Sequence, residues 1–297
     1  MGKTSRRRRD ADVHGIAVID KRAGMTSHDV VGVVRRTLST SRVGHSGTLD
    51  PDATGVLVVG VGHFTRVLPY LSHLPKCYTG WVEFGSATDS LDSTGEVVAE
   101  ADMSALTADD VAAALGAFRG EIEQVAPMVS ARRVGGERLY EKARRGESVE
   151  REARPVTIHR FELVAFEPGA SPRAFVEVEC STGTYIRSLA ADLGEALGGV
   201  AHLSGLRRQR IGDYSVDNAC AAEDVRLLDN RVALGPLCPI VGDEQLITDV
   251  RHGRRPAAPS GAAADSGPRA ILDGNDALVA IVEICSGVVN PRMVVAH

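Results

Sequence analysis

Residues 44–55 carry the side chains whose types and spacing point most directly to chemistry. The segment reads GHSGTLDPDATG, so one acid, Asp50, stands in a loop punctuated by glycines and followed by Pro51. Glycines allow tight turns and a close approach of the backbone to a ligand, and a proline disfavours the α region for the residue before it. Asp50 is therefore predicted to lie extended on a loop, placed like a nucleophile or a base.

An aspartate before proline also has a common structural explanation, because its side chain often bonds nearby backbone N–H groups in a turn. Polar residues crowd the same short loop, and this favours a site over a plain turn. They are His45, Ser46, Thr48 and Thr54. The apolar run at 56–59 then predicts a buried strand at the exit of the loop. We take Asp50 as the candidate catalytic residue.

Length, charge and cysteine content exclude several classes of protein. The 297 residues suffice for one large domain and a small one. The net charge is −5, from 34 Lys+Arg against 39 Asp+Glu, which argues against non-specific nucleic-acid binding. Five cysteines without CxxC or CxxH spacing argue against a disulfide framework or a structural zinc site and fit a reducing cytoplasm.

The termini and the apolar segments give no sign of export or membrane insertion. The basic stretch at 3–9 is not followed by an apolar region, so residues 1–11 are predicted to be a disordered basic tail rather than a signal peptide. No apolar segment is long enough to span a membrane. We expect a cytoplasmic protein without a membrane partner.

Hydrophobic periodicity predicts an α+β fold for residues 12–240. The predicted strands are 16–19, 56–61, 76–84, 155–166 and 174–180, and the predicted helices include one capped by Ser27, one capped by Thr107 and one at about 185–197. Strands mixed with helices in no regular alternation favour a central, largely antiparallel mixed sheet flanked by helices.

The composition changes near the C-terminus. Residues 253–267 are rich in Ala, Pro, Ser and Gly and are predicted to form a loop. The segments 277–282 and 293–295 are predicted strands. We therefore place a domain boundary near 240 and expect a small β-rich domain at 241–297.

A second group of candidate functional residues lies at 180–194, where a strand, a turn and a helix are predicted in succession. This order places Tyr185 and Arg187 in the first helical turn. A cation there opposes the helix dipole, so an acid or a phosphate is expected to hold Arg187. Asp50 is the attractive partner, because the pair would keep the carboxylate ionised and fix its direction. A purely structural ion pair is the competing explanation.

Aromatic and basic residues elsewhere suggest an RNA ligand. Tyr78 opens a predicted strand and could stack on a base, or lie half-buried in the core. An insert at about 128–155 and a cluster after Leu206 are basic, and both could grip a phosphate backbone or form solvated faces. The candidate backbone contacts are Arg132, Arg133, Arg138, Lys142, Arg144, Arg207 and Arg208.

With these segments in place, the chain resembles the TruB-type tRNA pseudouridine-55 synthases. The matching segments, in family order across about 12–240, are Asp20–Lys21 with Gly24–His28, Gly44–Gly55, Lys76–Tyr78, the basic insert, Cys180–Gly194 and His202–Arg208. Two positions depart from the pattern: Arg22 replaces a usual proline, and Asp52 replaces a usual apolar residue and is expected to point outward.

The resemblance implies a fold, a reaction and a set of roles. Asp50 would be the nucleophile and Arg187 its ion-pair partner, while His45, Tyr78, Tyr185, Leu206 and Lys21 would contact the target nucleotide. The insert would act as a thumb over the RNA, and 241–297 would be a PUA-like domain. Expected is a monomer that isomerises uridine 55 in the tRNA T-stem-loop without a guide RNA, and that assists tRNA folding. Because no redox change or phosphate transfer occurs, neither a metal nor another cofactor is expected.

Three alternatives compete with this interpretation. The first is a metal-dependent phosphatase, because Asp50, Asp52 and Thr54 formally match a D-x-D-x-T phosphoryl-transfer motif, but that motif needs an apolar strand directly before the first acid. A non-catalytic RNA-binding or tRNA-folding protein would use the same basic segments. A guide-dependent relative of the family is the third.

Overall fold

The computed structural model describes residues 11–128, 133–134, 137–138, 145, 151–262 and 267–295. The strands are β1 Gly15–Lys21, β2 Val43–His45, β3 Thr54–Val61, β4 Lys76–Phe84, β5 Ser86–Thr88, β6 Val97–Glu100, β7 Gly120–Gln124, β8 Arg133–Val134, β9 Glu137–Arg138, β10 Arg154–Glu167, β11 Arg173–Cys180, β12 Ala201–Ile211, β13 Tyr214–Ser215, β14 Ile240–Val241, β15 Gly267–Leu272, β16 Leu278–Cys285 and β17 Val288–Val294. The α-helices are α1 Ser27–Thr37, α2 Leu68–Leu71, α3 Ala108–Leu115, α4 Ile186–Ala196, α5 Asn230–Ala233 and α6 Glu244–Arg251. Within the described ranges, no helix has the length and apolarity needed to cross a membrane.

One large sheet organises the chain up to β13. Its described strands run in the order β1-β3-β12-β4-β11-β10-β7, with β2 added to β3 and β13 added to β12. Every pairing is antiparallel except that of β3 with β12, where Thr54 faces Arg207 and Gly55 faces Arg208. The predicted α+β class with a largely antiparallel sheet is confirmed. The parallel pairing brings the exit of the Asp50 loop beside the basic segment of β12.

The apolar strands β1 and β3 are buried on both faces. Because side chains alternate along a strand, Ile19, Leu57 and Val59 pack with α1 on one face. Ile16, Val18, Val56 and Val58 lie in a different cluster on the other face. Burial on both sides explains why these strands are continuous apolar runs rather than alternating ones.

The C-terminal strands form a separate four-stranded sheet in the order β14-β15-β16-β17. This confirms the predicted β-rich region, and its inner face shares a core with the large sheet. The members from the small sheet include Ala270, Leu272, Leu278, Ile281 and Met293, and those from the large sheet include Ile16, Val18, Val56 and Val58. The boundary near 240 and the PUA-like character of this region stay predictions.

The start of α1 differs by one residue from the prediction. Thr26, not Ser27, is the N-cap, because its hydroxyl accepts the Asp29 N–H while the Asp29 carboxylate accepts the Thr26 N–H. This reciprocal capping box satisfies two N–H groups at the helix end. It also leaves the Ser27 hydroxyl available for a different contact, described below.

A substitution at Gly55 would test the close contact between β3 and β12. Its φ is +100°, and a Cβ added there would meet Arg208 O at 2.1 Å. We predict that Gly55→Ala destabilises the protein by about 3 kcal/mol or more, since strain at a positive φ and overpacking each cost roughly 1–3 kcal/mol. Urea unfolding measures the difference.

Gly274→Ala is the matched control. An added Cβ at Gly274 meets no described atom within 4 Å, so its free energy of unfolding should change by no more than about 0.5 kcal/mol. Equal effects of the two substitutions would contradict the inferred contact.

Candidate active site

The loop between β2 and β3 carries Asp50 and is held by side chains from distant segments. The Leu49 N–H donates to Ser27 Oγ at 2.9 Å, and the Ser27 hydroxyl faces Leu49 O at 3.2 Å. Lys21 Nζ and the Gly24 N–H both donate to Pro51 O, at 2.7 and 3.0 Å. The loop is therefore anchored on each side of Asp50.

Arg187 forms the ion pair that the sequence predicted. Its Nη2 lies 3.1 Å from Asp50 Oδ2, while Nη1 lies 3.3 Å from Asp92 Oδ2 and donates to Ser90 O at 2.8 Å. The side chain of Arg187 is 6% exposed and that of Asp50 is 45% exposed. A buried guanidinium thus connects the candidate nucleophile to a second carboxylate.

Asp92 was not among the predicted site residues. Asp92 follows a turn at residues 89–90, and no local signal in the sequence places it beside Arg187. Its position depends on a tertiary contact, because the Leu203 N–H donates to Leu91 O and the Ser93 N–H donates to Leu203 O. The end of this turn is thereby joined to β12.

The environment of Asp50 favours its neutral form relative to a solvated aspartate. Desolvation in the cleft is the largest effect and raises its pKa; the charges of Arg187 and Lys21 oppose this, and the Asp92 carboxylate adds to it. The net pKa of Asp50 is raised. Asp52 is exposed, as expected.

A clamp by Gln124 fixes the start of α4, and the sequence analysis missed it. Gln124 Oε1 accepts the Tyr185 N–H at 2.7 Å, and its Nε2 donates to Tyr185 O at 3.0 Å. Gln124 is 4% exposed. Tyr185 is the N-cap residue of the helix that bears Arg187, so this glutamine positions the backbone of both residues.

The predicted residues Tyr78, Tyr185 and Leu206 meet Asp50 and Arg187 in one cleft of ≈ 290 Å³. The full lining is Gly47, Thr48, Leu49, Asp50, Lys76, Tyr78, Thr182, Gly183, Thr184, Tyr185, Ile186, Arg187, Leu206 and Arg208. Burial raises the pKa of the Tyr78 hydroxyl, so Tyr78 stays a neutral phenol at neutral pH. The cleft offers one carboxylate, aromatic surface and several cations.

His45 lies in the wall beside this cleft rather than in its lining. It ends β2 and faces an adjacent groove. Its pKa is lowered, mainly by burial and then by the charges of Arg208 and His28, so the imidazole is neutral at pH 7. Its contact with a target nucleotide stays a prediction.

Lys21, which the sequence predicts as a substrate contact, has its ammonium group held inside the protein. The residue is 1% exposed, and its Nζ donates to the carbonyl oxygens of Arg22, Met25 and Pro51 at 3.0, 2.6 and 2.7 Å. Burial lowers its pKa to about 8. All three donors of the ammonium group are used inside the protein, so Lys21 supports the loop in this structure, and its contact with a substrate stays a prediction.

Arg208, which the sequence predicts as an RNA-backbone contact, also makes its hydrogen bonds inside the protein. It is 1% exposed, its Nε donates to Val56 O at 2.7 Å, and its Nη atoms face Gly47 O at 3.1 Å and Thr48 O at 3.4 Å. It has no carboxylate partner among the described residues. β12 turns this side chain under the Asp50 loop, where it also lines the cleft, and its contact with RNA stays a prediction.

The other basic residues that the sequence predicts as RNA-backbone contacts differ in their surroundings. Arg207 makes two hydrogen bonds to Asp20, at 3.0 and 2.9 Å, and is partly exposed. Arg133 and Arg138 lie in the paired strands β8 and β9, and Arg132, Lys142 and Arg144 lie outside the described residues. Their contacts with RNA stay predictions.

Comparison with protein families shows which family the chain belongs to. A family model described as the TruB family pseudouridylate synthase N-terminal domain matches residues 35–186. The chain belongs to the TruB family of pseudouridylate synthases. A second model, of the tRNA pseudouridylate synthase B C-terminal domain, matches residues 187–233. The membership predicted from the motifs is confirmed, and with it the isomerase class.

Curated relatives named tRNA pseudouridine synthase B cover most of this TruB family chain. The protein from Symbiobacterium thermophilum is 50% identical over 252 residues, which are 83% of this chain and 84% of the relative. The protein from Arthrobacter sp. is 44% identical over 95% of this chain and 96% of its own. That from Mycobacterium tuberculosis is 50% identical over 71% of each.

Solved structures confirm the predicted pseudouridine synthase fold. A chain of an H/ACA RNP bound to a substrate RNA containing 2′-deoxyuridine matches with a TM-score of 0.70 and 23% identity, covering 95% of this chain and 85% of its own. A chain of a Cbf5–Nop10–Gar1 complex matches with a TM-score of 0.70 and 24% identity, covering 94% and 84%.

Asp92 should tune the pH dependence of the enzyme. A raised pKa means that Asp50 takes up a proton at a higher pH than an ordinary aspartate, so activity falls on acidification at that raised pKa. Because Asp92→Asn removes a charge that raises it, we predict that the acid limb of the kcat/KM profile moves to lower pH. The control Asp109→Asn, an exposed acid on α3, should leave the limb unchanged, and a limb that moves upward in Asp92→Asn would contradict the assignment.

Arg208 should act on stability rather than on RNA affinity. Arg208→Met leaves three carbonyl oxygens without their donor. Arg208→Lys keeps the charge but lacks the planar guanidinium group whose N–H donors reach all three. We predict that each lowers the free energy of unfolding by about 2–4 kcal/mol, while the salt dependence of RNA binding keeps its slope. An unchanged melting temperature with weaker, less salt-dependent binding would restore the RNA-contact interpretation.

Proposed function

We propose that this protein converts uridine 55 in the T-loop of tRNA to pseudouridine, with Asp50 as the nucleophile. The observation that carries the proposal is the Asp50–Arg187 contact of 3.1 Å inside a cleft that also contains Tyr78 and Tyr185. The curated relatives named tRNA pseudouridine synthase B support tRNA as the substrate. The names of the relatives do not specify a position, so the specificity for uridine 55 is part of the proposal.

The chemistry follows from the groups in the cleft. The reaction breaks the N1–C1′ bond of uridine, turns the uracil, and joins C1′ to C5, while C5 loses a proton and N1 gains one. An ionised carboxylate can serve as the nucleophile, towards the sugar or the base, and then assist the proton movements. Arg187 opposes the rise in the pKa of Asp50 and so maintains the ionised form at neutral pH.

The target base must leave the T-loop stack before it can reach Asp50. Extruding a base costs a few kcal/mol, and stacking on an aromatic side chain returns about 1–3 kcal/mol. Tyr78, which is 8% exposed and lines the cleft, is proposed to provide that surface. The ≈ 290 Å³ cleft then holds the flipped nucleoside against the carboxylate.

The alternatives are less well supported. No apolar strand leads directly into Asp50, since β2 ends at His45 and residues 46–50 are irregular, which is contrary to the phosphatase motif. The likeness to chains of the H/ACA RNP and of the Cbf5–Nop10–Gar1 complex concerns the fold at 23–24% identity, whereas the relatives at 44–50% identity are named as tRNA enzymes. We therefore propose guide-independent action, with assistance of tRNA folding as a separate capacity.

Asp50→Asn is the decisive substitution. We predict that pseudouridine formation at position 55 of an unmodified T-stem-loop RNA falls by about a thousandfold or more, because the nucleophile is lost, while RNA affinity stays within about threefold. Incubation with purified protein in EDTA, without any guide RNA, followed by pseudouridine mapping measures the activity, and equilibrium binding measures the affinity.

Asp52→Asn is the control, because Asp52 is an exposed acid two residues from Asp50, and it should keep most of the activity. Activity above a few per cent in Asp50→Asn would refute the proposed nucleophile. Activity of the wild-type protein that depends on added metal or guide RNA would favour the alternative functions.

A further inference from the structure

Lys76 is a buried titratable residue in the lining of the cleft, and neither the attack by Asp50 nor the stacking of the base uses it. It is 6% exposed, and its Nζ donates to Ser72 O at 2.9 Å and to Leu74 O at 2.8 Å. An ammonium group has three donors. Two of them hold the segment before β4, and the third meets no acceptor in the described part of the chain, so it is available to a ligand in the cleft.

The cleft holds more positive than negative charge. Among its described lining residues, Asp50 is the one acid, and Arg187 is paired with it. Lys76 and Arg208 also line the cleft, and their hydrogen bonds go to backbone carbonyls. Neither meets a carboxylate among the residues that the structure describes. Because buried charges without an opposite charge are costly, this end of the cleft is suited to an anion.

The two cations flank Tyr78, the residue proposed to stack on the target base. Lys76 and Tyr78 are two positions apart on β4, so their side chains lie on the same face, with Cα atoms about 7 Å apart. Arg208 is the register partner of Tyr78 on β12. A uracil that stacks on Tyr78 therefore has positive charge along its edge, while Asp50 and Arg187 lie at another part of the cleft lining.

We propose that Lys76 is a catalytic residue, which stabilises the negative charge that the uracil carries while its bond to the sugar is broken. The proposal rests on the proposed function, because it needs a uridine whose C1′ lies at Asp50. In that reaction the leaving group is an anion, and no proton reaches N1 before the bond breaks. A donor fixed at the base edge acts on the charge as it develops, which is where such groups contribute most to the rate.

The electrons balance without transfer of the lysine proton. When Asp50 bonds to C1′, the N1–C1′ bond breaks and its electron pair stays on the uracil, shared by N1, O2 and O4. Lys76 donates a hydrogen bond to one of these oxygens. When C5 attacks C1′, the pair forms the new bond, Asp50 is released as a carboxylate and the ring is neutral again. C5 then loses its proton, and N1 gains one.

A purely structural role, in which Lys76 only anchors the segment before β4, is the competing explanation. The two roles differ in their dependence on the leaving group. T-stem-loop RNAs with uridine or 5-fluorouridine at the target position supply two leaving groups. Because fluorine withdraws electrons and itself stabilises the uracil anion, breaking of the bond in 5-fluorouridine depends less on an external cation.

Single-turnover consumption of the target nucleoside at saturating RNA and neutral pH measures this dependence. We expect Lys76→Met to slow the consumption of uridine about 100-fold, as loss of one donor to a developing charge does. It should slow that of 5-fluorouridine only about tenfold, with RNA affinity within about threefold of the wild-type value. Any loss of folded protein reduces both rates equally, so the ratio of the two losses tests the proposal even in a poorly folded variant.

Lys21→Met is the matched control. Lys21 is also buried and also donates to backbone carbonyls, but it lies outside the lining of the cleft. Its removal loosens the loop of the nucleophile and leaves the charge beside the base unchanged. Lys21→Met should therefore slow the consumption of uridine and of 5-fluorouridine by the same factor.

The pH profile gives a second measurement. Burial lowers the pKa of Lys76 to about 8, Arg208 adds to this effect and Cys180 opposes it. Since a lysine is charged below its pKa, kcat/KM should fall as the pH rises through about 8. The pKa of Lys21 is also about 8, so substitution assigns the limb. Lys76→Arg, whose guanidinium stays charged, should move the limb to higher pH, and Lys21→Arg should leave it in place.

Equal losses on the two substrates in Lys76→Met would overturn the proposal and leave Lys76 as a structural anchor. A loss of less than threefold on uridine would overturn it too, as would a defect confined to RNA affinity, which would make Lys76 a phosphate contact. An unmoved basic limb in Lys76→Arg would count against the ammonium group. Failure of the proposed function is distinguishable, because it would appear as absence of pseudouridine with the wild-type protein.

Discussion

The guanidinium of Arg187 lies between two carboxylates, and the candidate active site depends on this arrangement. A buried guanidinium is costly unless its charge is paired and its N–H groups are bonded, and Asp50, Asp92 and Ser90 O meet this requirement. In the proposed reaction Asp50 loses its charge when it forms a covalent bond. Asp92 then still holds the arginine in place, so the site keeps its geometry through the step that removes one member of the pair.

Some of the cations that the sequence predicts as an RNA-binding surface donate hydrogen bonds to backbone groups inside the protein instead. Lys21 and Arg208 are each 1% exposed and donate to backbone carbonyls around the Asp50 loop. A loop that closes between two strands leaves carbonyl groups without strand partners, and buried carbonyls need donors. Long basic side chains from β1 and β12 supply those donors, which stiffens the loop and leaves fewer charges for RNA.

The fold alone does not distinguish this enzyme from the matching chains of the H/ACA RNP and of the Cbf5–Nop10–Gar1 complex, which share it at a TM-score of 0.70. Function resides in sites placed on a common framework. Here the framework brings the Asp50 loop, the start of α4 and the strand β12 to one cleft. The C-terminal sheet packs against the face of β1 and β3 opposite to α1, so it also supports the strand that leaves the Asp50 loop.

The sequence by itself determined the α+β class, the strands β1, β3, β4, β10 and β11, the helices α1, α3 and α4, the loop of Asp50 and the pairing of that acid with Arg187, because these follow from periodicity, capping, turn chemistry and motif resemblance. Tertiary structure alone decided which polar residues face the cleft. Asp92 and Gln124 join the site, and Lys21 and Arg208 turn inward, through contacts between segments far apart in the chain. Local patterns record the propensity of a segment, whereas the direction and burial of a side chain depend on what packs against it.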